Sequence, residues 1–187
     1  MEQLSTQAKL YFDEANQYFL KGAYQNALEN YVKAIGLKPN YTLAYINLGN
    51  TFCQLGQYDR ALASYNRLIA IAPETVQVYY NRAIVYRKLN QLDKAMADYT
   101  KAIELNPQYA DAYVNRGNIR QKLHEYEAAI ADYSFAIDLS SNYIEAYYNR
   151  ALAKMALGQE AQAQQDLEQA KQIKDNFSST DSHPSET

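Results

Sequence analysis

Apolar and small residues recur three or four positions apart in ten separate runs along the chain. That period marks amphipathic helices. The runs come in pairs. The first run of each pair covers roughly Lys9–Lys21, Leu43–Leu55, Gln77–Leu89, Asp111–Leu123 and Glu145–Leu157. The second covers roughly Tyr24–Leu37, Tyr58–Ile71, Leu92–Leu105, Tyr126–Leu139 and Glu160–Ile173. An all-α chain of helix pairs is predicted.

The pairs are copies of one unit. The stretch AYINLGN (Ala44–Asn50) returns as VYYNRAI (Val78–Ile84), AYVNRGN (Ala112–Asn118) and AYYNRAL (Ala146–Leu152) at one fixed spacing. A constant period of this size means one supersecondary unit stacked on itself. Counted from Ala8, the repeats are 8–41, 42–75, 76–109, 110–143 and 144–177, with a lead-in at 1–7 and a polar tail at 178–187. The tail, SSTDSHPSET, has the composition of a disordered segment.

Punctuation repeats with the same period. Gly22, Gly56, Asn90, His124 and Gly158 share the place between the two helices, where a left-handed residue commonly ends a helix. Asp59, Asp93 and Glu127 open second helices, where the helix dipole favours an acid. Pro39, Pro73 and Pro107 close the first three repeats, and Ser141 and Asp175 replace proline in the last two. Ala27, Ala61, Ala95, Ala129 and Ala163 share one place, and Ala15, Gly49, Ala83, Gly117 and Ala151 another. These are sites of close helix approach. Tyr31, Tyr65, Tyr99 and Tyr133 fill matching spaces as packing residues.

The set Tyr45-x-x-Leu48-Gly49-x-x-Phe52, followed by Ala61, Tyr65 and Pro73, resembles the tetratricopeptide repeat. The resemblance recurs five times over 8–177. It implies a right-handed superhelical solenoid of antiparallel helix pairs with a concave inner face. It further implies a scaffold that binds peptide segments of other proteins there. Two places depart from the pattern: Arg120 and Lys154 stand where earlier repeats have Tyr18, Phe52 and Tyr86. The polar second helix of repeat five reads as a terminal cap.

Composition narrows the functions. The chain is 48% hydrophobic and 21% charged, without an apolar run near the ~20 residues that span a bilayer. No secretory signal is recognisable at the start. A net charge of -3 and a pI of about 5.4 argue against nucleic acid, which attracts basic surfaces. The lone Cys53 can form no internal disulfide and suggests a reducing cytoplasm. His124 and His183 have no nucleophile or acid partner at helical spacing, and no phosphate loop or metal-ligand spacing occurs. The expectation is no enzyme, no metal and no cofactor.

Two columns of polar residues remain. Arg82, Arg116 and Arg150 occupy the seventh place of repeats three to five, and Asp98, Asp132 and Asp166 the twenty-third place of the same repeats. An ion pair tying first helix to second is predicted in each. The sixth place reads Asp13, Asn47, Asn81, Asn115, Asn149, with Asn16, Asn50 and Asn118 at the ninth. Asparagine costs up to roughly 0.7 kcal/mol inside a helix, so its recurrence suggests a use. An amide offers donor and acceptor together and can hold a peptide main chain. Some superhelical members of the resembled family use an inner asparagine ladder in that way. The competing use is bonding between neighbouring helices.

Tyr80 and Tyr148 are candidate apolar contacts on the same face, while Arg87, Lys88, Arg120, Lys122 and Lys154 form a candidate basic rim. The carboxylate clamp of chaperone-binding members is incomplete: Asn16 and Asn47 match its amides, but Phe12, Gln77 and Asn81 stand where its cations belong. The leading expectation is a scaffold for a protein or peptide partner, monomeric or weakly self-associating, with no nucleic acid and no membrane insertion. The alternative is a structural or self-associating solenoid with an unused groove.

Overall fold

The computed structural model describes residues 2–180, with side chains from 3 to 177. The described residues form ten helices and no strand: α1 (Glu2–Leu20), α2 (Tyr24–Leu37), α3 (Thr42–Gln54), α4 (Tyr58–Ile71), α5 (Val76–Lys88), α6 (Leu92–Leu105), α7 (Ala110–Lys122), α8 (Tyr126–Leu139), α9 (Ile144–Ala156) and α10 (Glu160–Thr180). The expected second helices of the first four repeats coincide with α2, α4, α6 and α8. The first helices α3, α5, α7 and α9 begin and end one residue early. Two elements run longer than expected. Helix α1 takes in the lead-in from Glu2, and α10 continues to Thr180, so the expected tail begins inside a helix. Neither extension meets a stop, since no Gly or Pro lies between Gly158 and Pro184 or ahead of Gly22. Residues 181–187 lie outside the described residues.

The chain divides into two compact units, Met1–Leu105 and Asn106–Thr187. The first holds α1 to α6, the second α7 to α10. Within each, paired helices form hairpins.

Every hairpin turn is closed alike. Gly22, Gly56 and Gly158 have φ of 73°, 69° and 72°, and Asn90 and His124 join them at 56° and 62°. In repeat one the Gly22 N–H bonds the Phe19 carbonyl and the Ala23 N–H bonds the Tyr18 carbonyl. The same two bonds recur after α3, α5, α7 and α9. This is the Schellman arrangement, which satisfies the last carbonyls of a helix. At the opposite end the chain leaves α2, α4 and α8 through a bond of one kind. Lys38 N–H bonds Ala34, Ala72 bonds Leu68 and Ser140 bonds Ala136. Ser141 therefore substitutes for proline without altering that exit.

Close approach sets the core. Ala27, Ala61, Ala95, Ala129 and Ala163 are fully buried, and Tyr31, Tyr65, Tyr99 and Tyr133 are at most 1% exposed. The tyrosine ring lies on the neighbouring first helix. A methyl added to Gly49 would overlap the Tyr65 ring, and one added to Gly117 would sit 2.7 Å from Cε1 of Tyr133.

Candidate functional site

The repeated asparagines bond one another between repeats. In the first unit, Asn47 Nδ2 donates to Asn16 Oδ1 at 2.9 Å and Asn81 Nδ2 to Asn50 Oδ1 at 3.0 Å. In the second unit, Asn149 Nδ2 donates to Asn118 Oδ1 at 2.9 Å. Each ninth-place carbonyl also accepts from the buried tyrosine of its own hairpin: Tyr31 to Asn16 and Tyr65 to Asn50 at 2.6 Å, Tyr133 to Asn118 at 2.9 Å. One amide oxygen thus joins three helices. Burial pushes the Tyr65 and Tyr133 hydroxyls well above their ordinary range, so they stay protonated donors. Asn115 instead bonds inside its own helix, Nδ2 to the Asp111 carbonyl at 2.9 Å.

These bonds do not exhaust the amides. An amide has two N–H groups and an oxygen with two lone pairs. The same asparagines line cavities along the first helices. In the first unit, a cavity of about 320 Å³ touches Asn16, Phe19, Leu20, Tyr31, Asn47 and Asn50. A second, about 240 Å³, shares Phe19 and Asn50 with it and reaches Asn81, Ile84 and Lys88. In the second unit, a cavity of about 610 Å³ is walled by Asn118, Gln121 and Lys122 of α7 and by Glu145, Asn149 and Leu152 of α9.

The arginine and aspartate columns meet as forks. Arg82 grips Asp98 through Nε and Nη2, both at 2.7 Å. Arg116 grips Asp132 at 3.0 and 2.7 Å, and Arg150 grips Asp166 at 2.9 and 2.7 Å. Each fork joins the first helix of a hairpin to the second. Arg82 also reaches back to Asn66 Oδ1 at 2.6 Å, and Arg150 to Ser134 Oγ at 2.9 Å, so each bridges to the preceding repeat as well. The bond to Asp98 holds the Arg82 guanidinium above its usual range despite burial.

Models of the tetratricopeptide repeat match the sequence at 15–55, 49–90 and 122–158, and others match at 76–109, 98–131 and 144–177. The chain belongs to the tetratricopeptide repeat family. The family is one of interaction scaffolds, and the fold is its all-α solenoid class. No curated protein matches the sequence significantly. Solved structures agree in fold. The crystal structure of the MamA protein is 23% identical over 100% of both chains, with a TM-score of 0.82. YrrB, described as a TPR protein with an unusual peptide-binding site, is 22% identical over 87% of this chain and 84% of its own, at 0.71. A tetratricopeptide repeat protein from Parabacteroides merdae is 21% identical over 88% of this chain and 66% of its own, at 0.78.

The tetratricopeptide frame explains why part of the expected basic rim is absent. Arg120 Nη1 lies 2.8 Å from Asp132, and Lys154 Nζ lies 2.8 Å from Asp166. The earlier repeats carry aromatics at that place and, in repeats one and two, no aspartate. Here the two cations are second partners of a buried acid. Arg87, Lys88 and Lys122 are exposed at the ends of α5 and α7, with Lys88 over the Tyr58 ring at 5.7 Å. Tyr80 packs edge-on to Tyr99 at 5.7 Å, whereas Tyr148 is 52% exposed.

The three-helix amide junction was visible in sequence only in part. Asn16, Asn50 and Asn118 each precede a tyrosine fifteen places on and an asparagine thirty-one places on. That triplet was the available signal. Among the described residues no group of three or more His, Cys, Asp or Glu is placed to hold a metal ion, and no helix is long and apolar enough to cross a membrane. Cys53 is half-buried with its thiol pushed up by burial, a poor nucleophile.

Proposed function

We propose that the chain is a non-catalytic scaffold that binds a peptide segment of a partner protein along the cavities of its first helices. One observation carries this reading. Asparagines from adjacent repeats, Asn47 beside Asn16 and Asn81 beside Asn50, line cavities that share residues. Their amides keep capacity after the bonds between repeats are made. YrrB, alike in fold, is described as a peptide binder. On this reading the compartment is the cytoplasm, where the thiol of Cys53 stays reduced.

Amides alone are insufficient. At about 0.5–1.5 kcal/mol net each, a few such bonds fall short of the ~8 kcal/mol of a micromolar complex. Apolar contacts with Phe19, Leu20 and Ile84 supply the remainder in the first unit. Polar residues stand exposed on the terminal helices: Gln17 on α1, where Thr51 and Val85 are buried at the same place, and Gln164, Glu168 and Lys171 on α10.

Peptides selected from a displayed random library against the intact protein test the reading. Binding that weakens in Asn47→Ala and Asn81→Ala variants with near-native melting places the peptide on the amide face. Binding unchanged in both removes the asparagines from the mechanism.

A further inference from the structure

Helix α9 carries an apolar stripe that the fold leaves open. Tyr148, Leu152 and Met155 stand at i, i+4 and i+7 and are 52%, 38% and 43% exposed. This is the seam of a helix–helix contact. The place of Tyr148 is held by Val114 on α7 and Ile46 on α3, which are 1% and 7% exposed. There the first helix of the following repeat packs alongside, α9 on α7 and α5 on α3. Among the described residues no such helix follows α9. At that one place the stripe extends a contact made twice within the units; at the places of Leu152 and Met155, α3 carries Asn50 and Cys53 and α7 carries Asn118 and Gln121, all half-buried.

The adjoining cavity indicates how an occupant lies. Leu152 belongs to both the stripe and the cavity wall. Glu145 opens α9 at one end of that wall, and Lys122 closes α7 at the other. Their places lie eleven residues apart along the helix axis, about 16 Å at 1.5 Å per residue. A helix three turns long has that length. Its amino end is partially positive and its carboxyl end partially negative. Glu145 suits the first and Lys122 the second, so the occupant runs in the same sense as α7 and α9.

An extended peptide fits this unit less well. It must find partners for its main-chain groups. Here Asn118 makes one bond beyond those of Asn16 and Asn50, donating toward Glu145 at 3.4 Å, and Asn115 turns its amide to the Asp111 carbonyl of its own helix. A helix arrives with its main chain already bonded and needs only an apolar face.

We infer that repeats four and five take an amphipathic helix of a partner protein, laid on Tyr148, Leu152 and Met155 with its amino end at Glu145. The inference rests on the scaffold reading and specifies its partner. The probe is an end-blocked helical peptide of about four turns with leucines at i, i+4 and i+7. A peptide of equal composition with alternating leucines is the control. In fluorescence anisotropy the helical peptide should bind and the control should not. Leu152→Glu and Met155→Gln, both at exposed positions, should each weaken binding about tenfold or more while melting near wild type. Glu145→Lys should weaken it about two- to fivefold.

A photo-crosslinker in the first turn of the peptide should attach near the start of α9, and one in the last turn near the end of α7. The reverse pattern overturns the assigned direction. Preferential binding of the alternating peptide, lost in Asn81→Ala but not in Leu152→Glu, overturns the helical occupant and leaves the scaffold reading standing. Failure of both peptides and of a displayed random library overturns both.

Discussion

Asn81 donates its side-chain amide to Oδ1 of Asn50, 3.0 Å away in the preceding repeat. The oxygen it reaches already accepts the Tyr65 hydroxyl at 2.6 Å. A residue type suited to ligand binding is thus also a fastener between repeats. The proposed peptide binding is compatible with this fastening, because the bond spends one N–H of Asn81 and the oxygen of Asn50.

Removing the acceptor should therefore cost more than removing the donor. Asn50→Ala strands two buried donors, the Tyr65 hydroxyl and the Asn81 amide, at about 1–3 kcal/mol each. Asn81→Ala leaves the Tyr65 bond in place and should cost about 1 kcal/mol. Urea unfolding of both single variants and the double variant gives the coupling between them. Additive losses would show that the bond across the repeats contributes nothing.

The forks should rank by how many cations depend on one acid. Asp132 is 1% exposed and holds both Arg116 and Arg120, whereas Asp98 holds Arg82. Removing one partner of a buried pair costs about 3–5 kcal/mol because the other charge is left behind. Asp132→Ala should reach the upper part of that range and Asp98→Ala the lower. Equal unfolding midpoints for the two variants would deny Arg120 a share in the site.

The hairpin turns were legible in the sequence because only a few residue types tolerate positive φ. The Asn90 and His124 places needed nothing beyond alignment with Gly22 and Gly56. The pairing of arginine with aspartate was legible as joint occurrence in the same repeats, and the fork is its physical reason. Arg120 and Lys154 were not. A cation on an inward place reads alike whether it meets a ligand or a buried acid twelve residues on in the second helix. The ends of α1 and α10 lie beyond the repeat pattern for a related reason. A repeat register marks where a pattern stops, while a helix stops only where its backbone bonds do.

Acid should loosen the last hairpin through Asp166. Burial pushes its carboxyl up, but the bonds from Arg150 and Lys154 more than offset this and hold it below the ordinary value of 3.8. A carboxyl lowered by folding stabilises fully above its unfolded value. That stabilisation disappears as pH falls from about 3.8 through the folded value. The difference in stability between wild type and Asp166→Asn should be constant near neutrality and shrink below that point. A difference that grows on acidification would contradict the sign of the shift.

Two glycine-to-alanine changes should have opposite signs. Both Gly36 and Gly49 lie inside helices, where alanine gains up to about 1 kcal/mol over glycine. Around Gly36 an added methyl meets no atom within 4 Å, so Gly36→Ala should stabilise, by a part of that amount because Gly36 is the penultimate residue of α2. Around Gly49 the methyl meets the Tyr65 ring. That ring is fixed by its hydroxyl bond to Asn50 and is 1% exposed, so it has little room to retreat. Overpacking of this kind costs about 1–3 kcal/mol, which exceeds the propensity gain. Gly49→Ala should therefore lower the melting temperature while Gly36→Ala raises it. Thermal unfolding by circular dichroism reads both. A stabilised Gly49→Ala would mean that the ring shifts freely and that the Tyr65–Asn50 bond does not pin the repeat.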